Sequence, residues 1–479
     1  MKKLLLTSVL IISSVIASLG QISVMSLQNK IYQNNEFNPA WYPENTWTFG
    51  IPVISGITTN YNNRLRYNDV ITRQDDGVNL VDLTKTLSIL KANNYIGANV
   101  RVNDLFVGYR KNRDAISFFI NDRVETDLFF PRDLIDFGVN GNLNFLDKNL
   151  NLKKLALNAS HYREFGIGYT SFGKNNKFNW GYRVKLLSGF YNVSIPNDFD
   201  ATLTTNADNF SLSIDVDNAI LRVTEVPEDG SFVFSPNVGF SIDGGADYRI
   251  SDRMRIAFAI RDLGFITWKD GVTHRELEDT EFTYGGVDIR DTDNLVEALE
   301  DSLADRFNYI AGSEEAYRTA LPVKLNLTTS MRLTSTGELV MMIAPEFVRG
   351  FLQMRYGVGV TQGIGRNFRF NLSVNKLPQQ GINFGTALAV NLGPVQIYGG
   401  TDKLIGYDLT GLRSFNYTFG MNVITGRLKS QKWKKTRLSR FSTNQSVNQP
   451  DKKKDRVYLN IKKEKNRRKG RQKKPRNSK

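Results

Sequence analysis

The chain has 479 residues, enough for one large barrel or roughly two to three ordinary domains. Hydrophobic residues make up 41 %, too few for a bundle of membrane helices, whereas 11 % aromatics and 38 glycines favour many strands joined by turns. There is no cysteine, which removes thiolate zinc sites, iron–sulfur clusters, thiol nucleophiles and a lipid-bearing cysteine behind a leader. The formal charge of +15 is a misleading average. Arg427–Lys479 holds 22 Lys and Arg against 3 Asp and Glu, a net of +19, and the remainder carries 41 basic and 45 acidic residues, a net of −4. The basic character belongs to the tail, so a nucleic-acid reading of the whole chain rests on the wrong number.

In chain order, Lys2 and Lys3 precede an apolar run from Leu4 to Leu19, followed by Gly20 and Gln21. A positive end, an apolar stretch and the small-x-small site Ser18-Leu19-Gly20 read as a secretory leader over residues 1–20, with cleavage after Gly20. The alternative is an uncleaved anchor helix, for which the run is shorter than the ~20 residues of a comfortable span. Beyond Gln21 no apolar run is long enough for a membrane helix. If the rest of the chain is in a membrane, it must be there as a barrel.

From Trp47 to Val423 the dominant signal is period-two alternation. Phe178, Trp180, Tyr182, Val184 and Leu186 alternate with Asn179, Gly181, Arg183 and Lys185; Met254, Ile256, Phe258 and Ile260 with Arg255, Ala257, Ala259 and Arg261. The same holds around Val323–Arg332, Phe368–Asn375 and Phe415–Val423. Such segments approach the ~9–11 residues that cross a bilayer at a tilt, longer than the ~5–6 usual in soluble sheets. Alternation alone does not separate a soluble sandwich from a barrel. Strand length, the leader, and aromatics near strand ends (Trp47, Tyr109, Trp180, Trp268, Tyr356 and Tyr417) favour an all-β transmembrane antiparallel barrel of about 14 strands over residues 46–426. A soluble exported β-protein is the rival. The long segments Thr202–Val223 and Phe232–Ile250 are expected to run beyond the membrane.

Two stretches read as loop helices: Gln74–Asn94, with Leu80, Leu83, Leu87 and Leu90, and Asp291–Asn308, with Leu295, Leu299 and Leu303 at helical spacing. The tail, residues 427–479, is too poor in apolar residues to order itself. Its segment Arg456–Ile461 is a candidate docking strand. It suits a periplasmic protein or a polyanionic envelope polymer; nucleic acid is excluded as a partner by export and by the lack of interleaved aromatics.

Catalytic chemistry finds little support. Only His161 and His274 exist. His161 reads as an exposed loop residue, and its neighbour Ser160 would face the opposite way on a strand. The acidic run Asp291, Asp293, Glu297, Glu300, Asp301 and Asp305 reads as a solvated helix face, without the spacing of a calcium loop. Gly363-Ile364-Gly365 reads as a hairpin turn. No catalytic, cofactor or metal site is expected. Arg183, Lys185, Arg255, Arg261, Lys324, Arg332, Arg355 and Arg369 are candidates to line the lumen, either attracting anions and acidic amphiphiles or pairing with acidic neighbours.

Asn38-Pro39-Ala40, ahead of the extended Trp47–Ser55, together with Tyr317-Arg318-Thr319-Ala320-Leu321-Pro322 before a strand, resembles the outer-membrane barrels of Bacteroidota that carry an early NPA motif. These include uncharacterised families and, more distantly, PorV-like and FadL-like long-chain fatty-acid transporters. The resemblance implies that residues 21–45 fold into the lumen as a plug or hatch, turning tightly at Asn38-Pro39-Ala40. It implies an outer-membrane protein in contact with lipid that passes hydrophobic or amphiphilic small molecules. The alternative is a non-catalytic structural or assembly component tethered through its tail. The tail departs from the resemblance, because the expected last strand, Ser414–Ile424, is not at the C-terminus.

Overall fold

A backbone in hydrocarbon has no water to pair with, so strands cross a membrane only when every edge is closed. The computed structural model meets this demand with fourteen wall strands. It describes residues 21–427 apart from 74–78, 210, 226–232, 278–279, 284–308, 312–314, 366 and 404–412. The expected helix at Asp291–Asn308, the leader and the docking segment Arg456–Ile461 therefore lie outside the described residues.

The wall strands are β1 (Asn45–Gly50, resuming as Ile57–Asn62), β2 (Asn93–Lys111), β3 (Asp114–Pro131), β4 (Ala156–Phe172) and β5 (Phe178–Ile195). They continue with β6 (Asn237–Arg249), β7 (Met254–Trp268), β8 (Tyr317–Ala320 and Val323–Arg332), β9 (Gly337–Val348) and β10 (Phe351–Ile364). The last four are β11 (Phe368–Lys376), β12 (Ile382–Leu392), β13 (Val395–Thr401) and β14 (Ser414–Arg427). Each pairs antiparallel with its neighbours, and β1 closes the cylinder on β14 through Asn45↔Arg427 and Ile57↔Phe419. The fourteen-strand barrel expected from alternation is the observed fold, with β14 three residues longer than expected.

Burial is inverted relative to a soluble protein. Along β5 the side chains of Phe178, Trp180, Tyr182, Val184 and Leu186 are exposed, whereas Asn179, Arg183 and Lys185 are buried. Ile116 and Phe118 on β3, Val358 and Val360 on β10, and Leu372 and Val374 on β11 repeat the pattern. An exposed belt of large apolar side chains would be unstable in water but matches lipid. Trp47 and Tyr109 pack with tilted rings, centroids 4.5 Å apart, and Tyr169 lies 5.6 Å from Trp180, near the strand ends where an interfacial girdle is expected. Trp268 is not part of that girdle. It is fully buried, donating from Nε1 to Thr319 Oγ1 at 2.8 Å.

One end of the barrel carries tight turns, such as Asn112-Arg113 and Gly393-Pro394, where Asn112 and Gly393 take positive φ. The start of β1 and the end of β14 lie at this turn end. The other end carries the long loops. Strands β2–β5 have 17–19 residues, more than a bilayer needs, and β13 has only 7, so one wall stands taller than the other. Thr202–Val223, expected as a long alternating segment running beyond the membrane, is not a wall strand. Instead Asp200–Thr205 and Ser211–Asn218 pair with Asn149–Asn151 and Thr280–Thr283 in a separate four-stranded sheet. Its apolar face packs on Phe137, Phe145, Leu150 and Phe199 rather than on lipid; alternation has the same period whichever apolar phase it meets. Among the described residues of Gln74–Asn94 the helix covers Leu83–Ile89, capped by Asp82 Oδ1 accepting from Lys85 N–H at 2.9 Å.

An arginine at Val184, in the middle of the outward apolar face of β5, should reduce stability by about 2–4 kcal/mol. Urea unfolding from lipid vesicles, followed by tryptophan fluorescence, measures this; an unchanged midpoint would place that face away from hydrocarbon.

Candidate functional site

The lumen is occupied by the chain itself. Residues Ile22–Leu27 and Ile31–Pro43 are buried throughout, inside the cylinder. A short helix, Gln21–Met25, and two 3₁₀ turns, Gln28–Lys30 and Tyr32–Glu36, compact the segment. It then turns at Asn38–Trp41 and leaves at the turn end to become β1. Asn38 Oδ1 accepts from Ala40 N–H at 2.9 Å and Asn38 O accepts from Trp41 N–H at 2.9 Å, with proline second in the turn, where its fixed φ fits. Asn38 Nδ2 donates to Ala246 O at 3.4 Å and Phe258 O at 3.3 Å, and Pro39 O accepts from Thr170 Oγ1 at 2.6 Å. The motif therefore joins the segment to β4, β6 and β7.

Room for this segment is made by wall glycines. A Cβ on Gly181 would lie 2.2 Å from Pro39 O, and one on Gly245 2.2 Å from Asn38 Oδ1. Gly357, Gly385 and Gly400 do the same beneath Ile22, Ser23 and Val24. Aromatic packing adds to the fit: Tyr32 stacks on Phe106 with centroids 3.9 Å apart. Nothing in a sequence separates such glycines from turn glycines, because the contact is with residues far away in the chain.

The wall has two chemical halves. On β3–β10 a buried ionic network crosses the lumen. Asp262, on a β7 bulge with φ 59°, accepts from Lys185 Nζ at 2.5 Å, Arg123 Nη1 at 3.0 Å and Lys324 Nζ at 3.2 Å. Glu164 pairs with Arg123 at 2.7 Å, Asp243 with Lys185 at 2.8 Å, and Glu346 with Arg355 at 2.8 Å; Arg123 also pairs with Glu125. On β11–β14 and β1 the inward groups are neutral, among them Asn371, Ser373, Gln396, Thr418 and Asn422. Glu36 of the inserted segment connects to the ionic half, accepting from Asn103 Nδ2 at 2.7 Å and pairing with Arg101 at 2.8 Å.

Of the eight basic residues expected to line the lumen, Arg183, Lys185, Arg261, Lys324 and Arg355 point into its middle, where all but Arg261 meet carboxylates. Arg261 donates to Glu36 O at 3.4 Å. Arg255, Arg332 and Arg369 sit at the turn-end mouth; Arg255 pairs with Asp247 at 3.0 Å and Arg369 donates to Thr336 O at 3.2 Å. Sequence reasoning missed the acidic partners Glu125, Glu164, Asp243 and Asp262, although each occupies an inward position of an alternating strand. Beside Ile22 and Met25 the remaining cavity is ≈ 10 Å³, about the space of one water. A wider one, ≈ 360 Å³ and lined by Asp147, Thr204, Asn206, Asp208, Ser211 and Ser213, lies on the loop-end sheet.

His161 is not in a loop. It lies within β4, facing outward 3.9 Å from Asp122, while Ser160 faces inward and accepts from Asn192 Nδ2 at 2.8 Å. The two residues serve different phases, lipid side and lumen side.

Besides the two-residue break of β8 at Leu321-Pro322, the wall has a wider interruption in β1. Gly50 pairs with Asn422 and Ile57 with Phe419, so residues Ile51–Gly56 stand opposite only Gly420 and Met421. Pro52, Val53 and Ile54 are exposed on the outer surface, and Val53 takes φ 67°, a strained conformation for a β-branched residue. On the inner side Ser55 O accepts from Gln33 Nε2 and from Tyr398 OH, both at 2.8 Å.

Two substitutions test this packing. Asp262→Ala removes the acceptor that three buried cations share, leaving each with its remaining carboxylates, and should cost about 3–5 kcal/mol in urea unfolding. Gly245→Val should displace the Asn38 turn and expose residues 21–43 to added protease while the wall stays resistant; an equally protected segment would contradict its seating.

Three comparisons with known proteins bear on the chain. It is similar in structure to the Ralstonia pickettii toluene transporter TbuX (9 % identity, TM-score 0.42, covering 86 % of this chain and 99 % of that one). It is also similar to a Pseudomonas aeruginosa FadL homologue (11 %, 0.38, 85 % and 99 %) and to the P. putida toluene transporter TodX (9 %, 0.39, 82 % and 93 %). No curated protein matches the sequence. The model of a family of unknown function (DUF5723) matches residues 39–402, and the chain belongs to that family.

Proposed function

We propose that this protein is an outer-membrane channel for hydrophobic or amphiphilic small molecules, held here in its closed state. The turn end faces the periplasm, as short turns do in barrels of this type, so the basic tail begins on the periplasmic side. The observation that carries the reading is the coupling between wall and inserted segment. The strained, lipid-facing interruption at Ile51–Gly56 is held from inside by Gln33. Withdrawal of the segment removes that support, and a gap in the wall at membrane depth admits molecules that partition into lipid. Strain of this kind persists only where the surroundings hold it, and it is often part of a switching mechanism.

The filled lumen favours a second reading, a structural or assembly component anchored in the membrane and tethered through its basic tail to a periplasmic protein or polyanion. One experiment separates them. Ser23 and Ser373 have Oγ atoms 2.8 Å apart, and the chain has no native cysteine, so Ser23→Cys with Ser373→Cys ties the segment to β11. Uptake of the apolar probe N-phenyl-1-naphthylamine by cells carrying this variant should fall to the rate of cells without the protein, and recover on reduction. Uptake by the wild type no faster than by cells lacking it would overturn the channel reading in favour of the structural one.

A further inference from the structure

Asp402, the first residue after β13, has no exposed surface. Its Oδ2 accepts from Ile22 N–H at 2.9 Å, and its Oδ1 from Ser23 N–H at 2.8 Å and from Ser23 Oγ at 3.0 Å. Ser23 Oγ also reaches Thr401 O at 2.8 Å and Ser373 Oγ at 2.8 Å. Among the described residues no basic side chain forms an ion pair with Asp402, whereas Glu125, Glu164, Asp243, Asp262 and Glu346 of the ionic half each have one or more cations; Asp127 on β3, also without one, accepts from Tyr95 OH at 2.6 Å. A buried carboxylate without a countercharge is costly. Burial pushes the Asp402 pKa up, and the two backbone N–H groups, the Ser23 hydroxyl and the charge of Arg355 oppose that shift.

Arg355 acts on Asp402 electrostatically without forming an ion pair with it, and a direct countercharge has a source in reach. Ile22 and Ser23 are the second and third residues of the helix Gln21–Met25, and the first N–H groups of a helix point the same way along its axis. The nitrogen of Gln21 is one residue from the N–H that Asp402 Oδ2 already accepts. In the unprocessed chain that nitrogen is an uncharged amide. After cleavage at Gly20 it is an α-ammonium.

We infer that Asp402 is the receptor for the chain's own processed N-terminus, pairing with the α-ammonium of Gln21 and latching the tip of the inserted segment to the loop end of β13. The inference requires the leader to be removed after Gly20, and it holds for a channel and for a structural barrel alike. It gives processing a structural role: only the cleaved chain places a positive charge at the buried carboxylate. It also makes the spacing between cleavage site and Asp402 partners critical to one residue.

The test uses the full chain, exported and purified in detergent. Intact mass should give a free, uncyclised Gln21 as first residue. Acetic anhydride near neutral pH should leave that α-amine unmodified in the folded protein while acetylating surface lysines, as read from the N-terminal peptide, and should modify it after heat unfolding. In Asp402→Asn the α-amine of the folded barrel should become at least roughly tenfold more reactive, and Asp402→Glu should restore protection. One alanine inserted between Gly20 and Gln21 should have the effect of D402N with Asp402 intact. Should D402N fail to assemble, the wild-type measurement decides by itself. A wild-type α-amine as reactive as surface lysines, a pyroglutamate in place of Gln21, or a chain starting beyond Ser23 overturns the inference.

Discussion

Everything in this molecule follows from the requirement that backbone N–H and C=O groups be paired where no water reaches them. The closure of β1 on β14 meets that requirement for the wall, and it fixes which side of each strand faces lipid. Once the cylinder is closed, the polar side chains of every strand converge on an interior that must satisfy them. The ionic network centred on Asp262 and the amide-rich surface of β11–β14 are two solutions to the same problem, one by charge pairing and one by neutral hydrogen bonds. The inserted N-terminal segment completes both: Glu36 meets the ionic half, and Gln33 forms reciprocal hydrogen bonds with Asn422 on the neutral half at 2.8 and 2.9 Å.

This division suits the wide interruption in β1. Its neighbour β14 offers neutral groups and glycine at that level, and Gly420 leaves room for the Ser55 carbonyl, 2.3 Å from where its Cβ would stand. In the ionic half the break of β8 spans only Leu321-Pro322, and Leu321 N–H still donates to Gly264 O at 3.0 Å. The strain at Val53 lies on the side of the barrel where the segment holds the wall by neutral hydrogen bonds and by apolar packing of Val24, Leu27 and Ile31 on Ala387, Ala389 and Tyr398.

Much of the wall is legible in the sequence because period two is a backbone property: Phe178–Leu186 shows lipid and lumen faces without any knowledge of partners. What alternation cannot say is which apolar phase a strand meets. Leu203, Leu212 and Ile214 alternate like wall residues yet pack in the loop-end sheet, and Trp268 reads like Trp180 yet is buried against Thr319. The turn at Asn38-Pro39-Ala40 is legible from local chemistry; its anchors Thr170, Ala246 and Phe258 are not. The contact of Asp402 with Ile22 spans 380 positions of sequence, so no local pattern announces it.

The closed lumen depends on residues 21–43 being packed inside the native barrel. Hydrogen–deuterium exchange of the full chain in lipid nanodiscs measures this directly. Peptides from Ile22–Pro43 should exchange as slowly as those of β4 and β5 and far more slowly than the loop Asn63–Arg66. Complete exchange of Ile22–Pro43 within seconds, with the wall strands still protected, would mean that the segment is outside and the lumen empty.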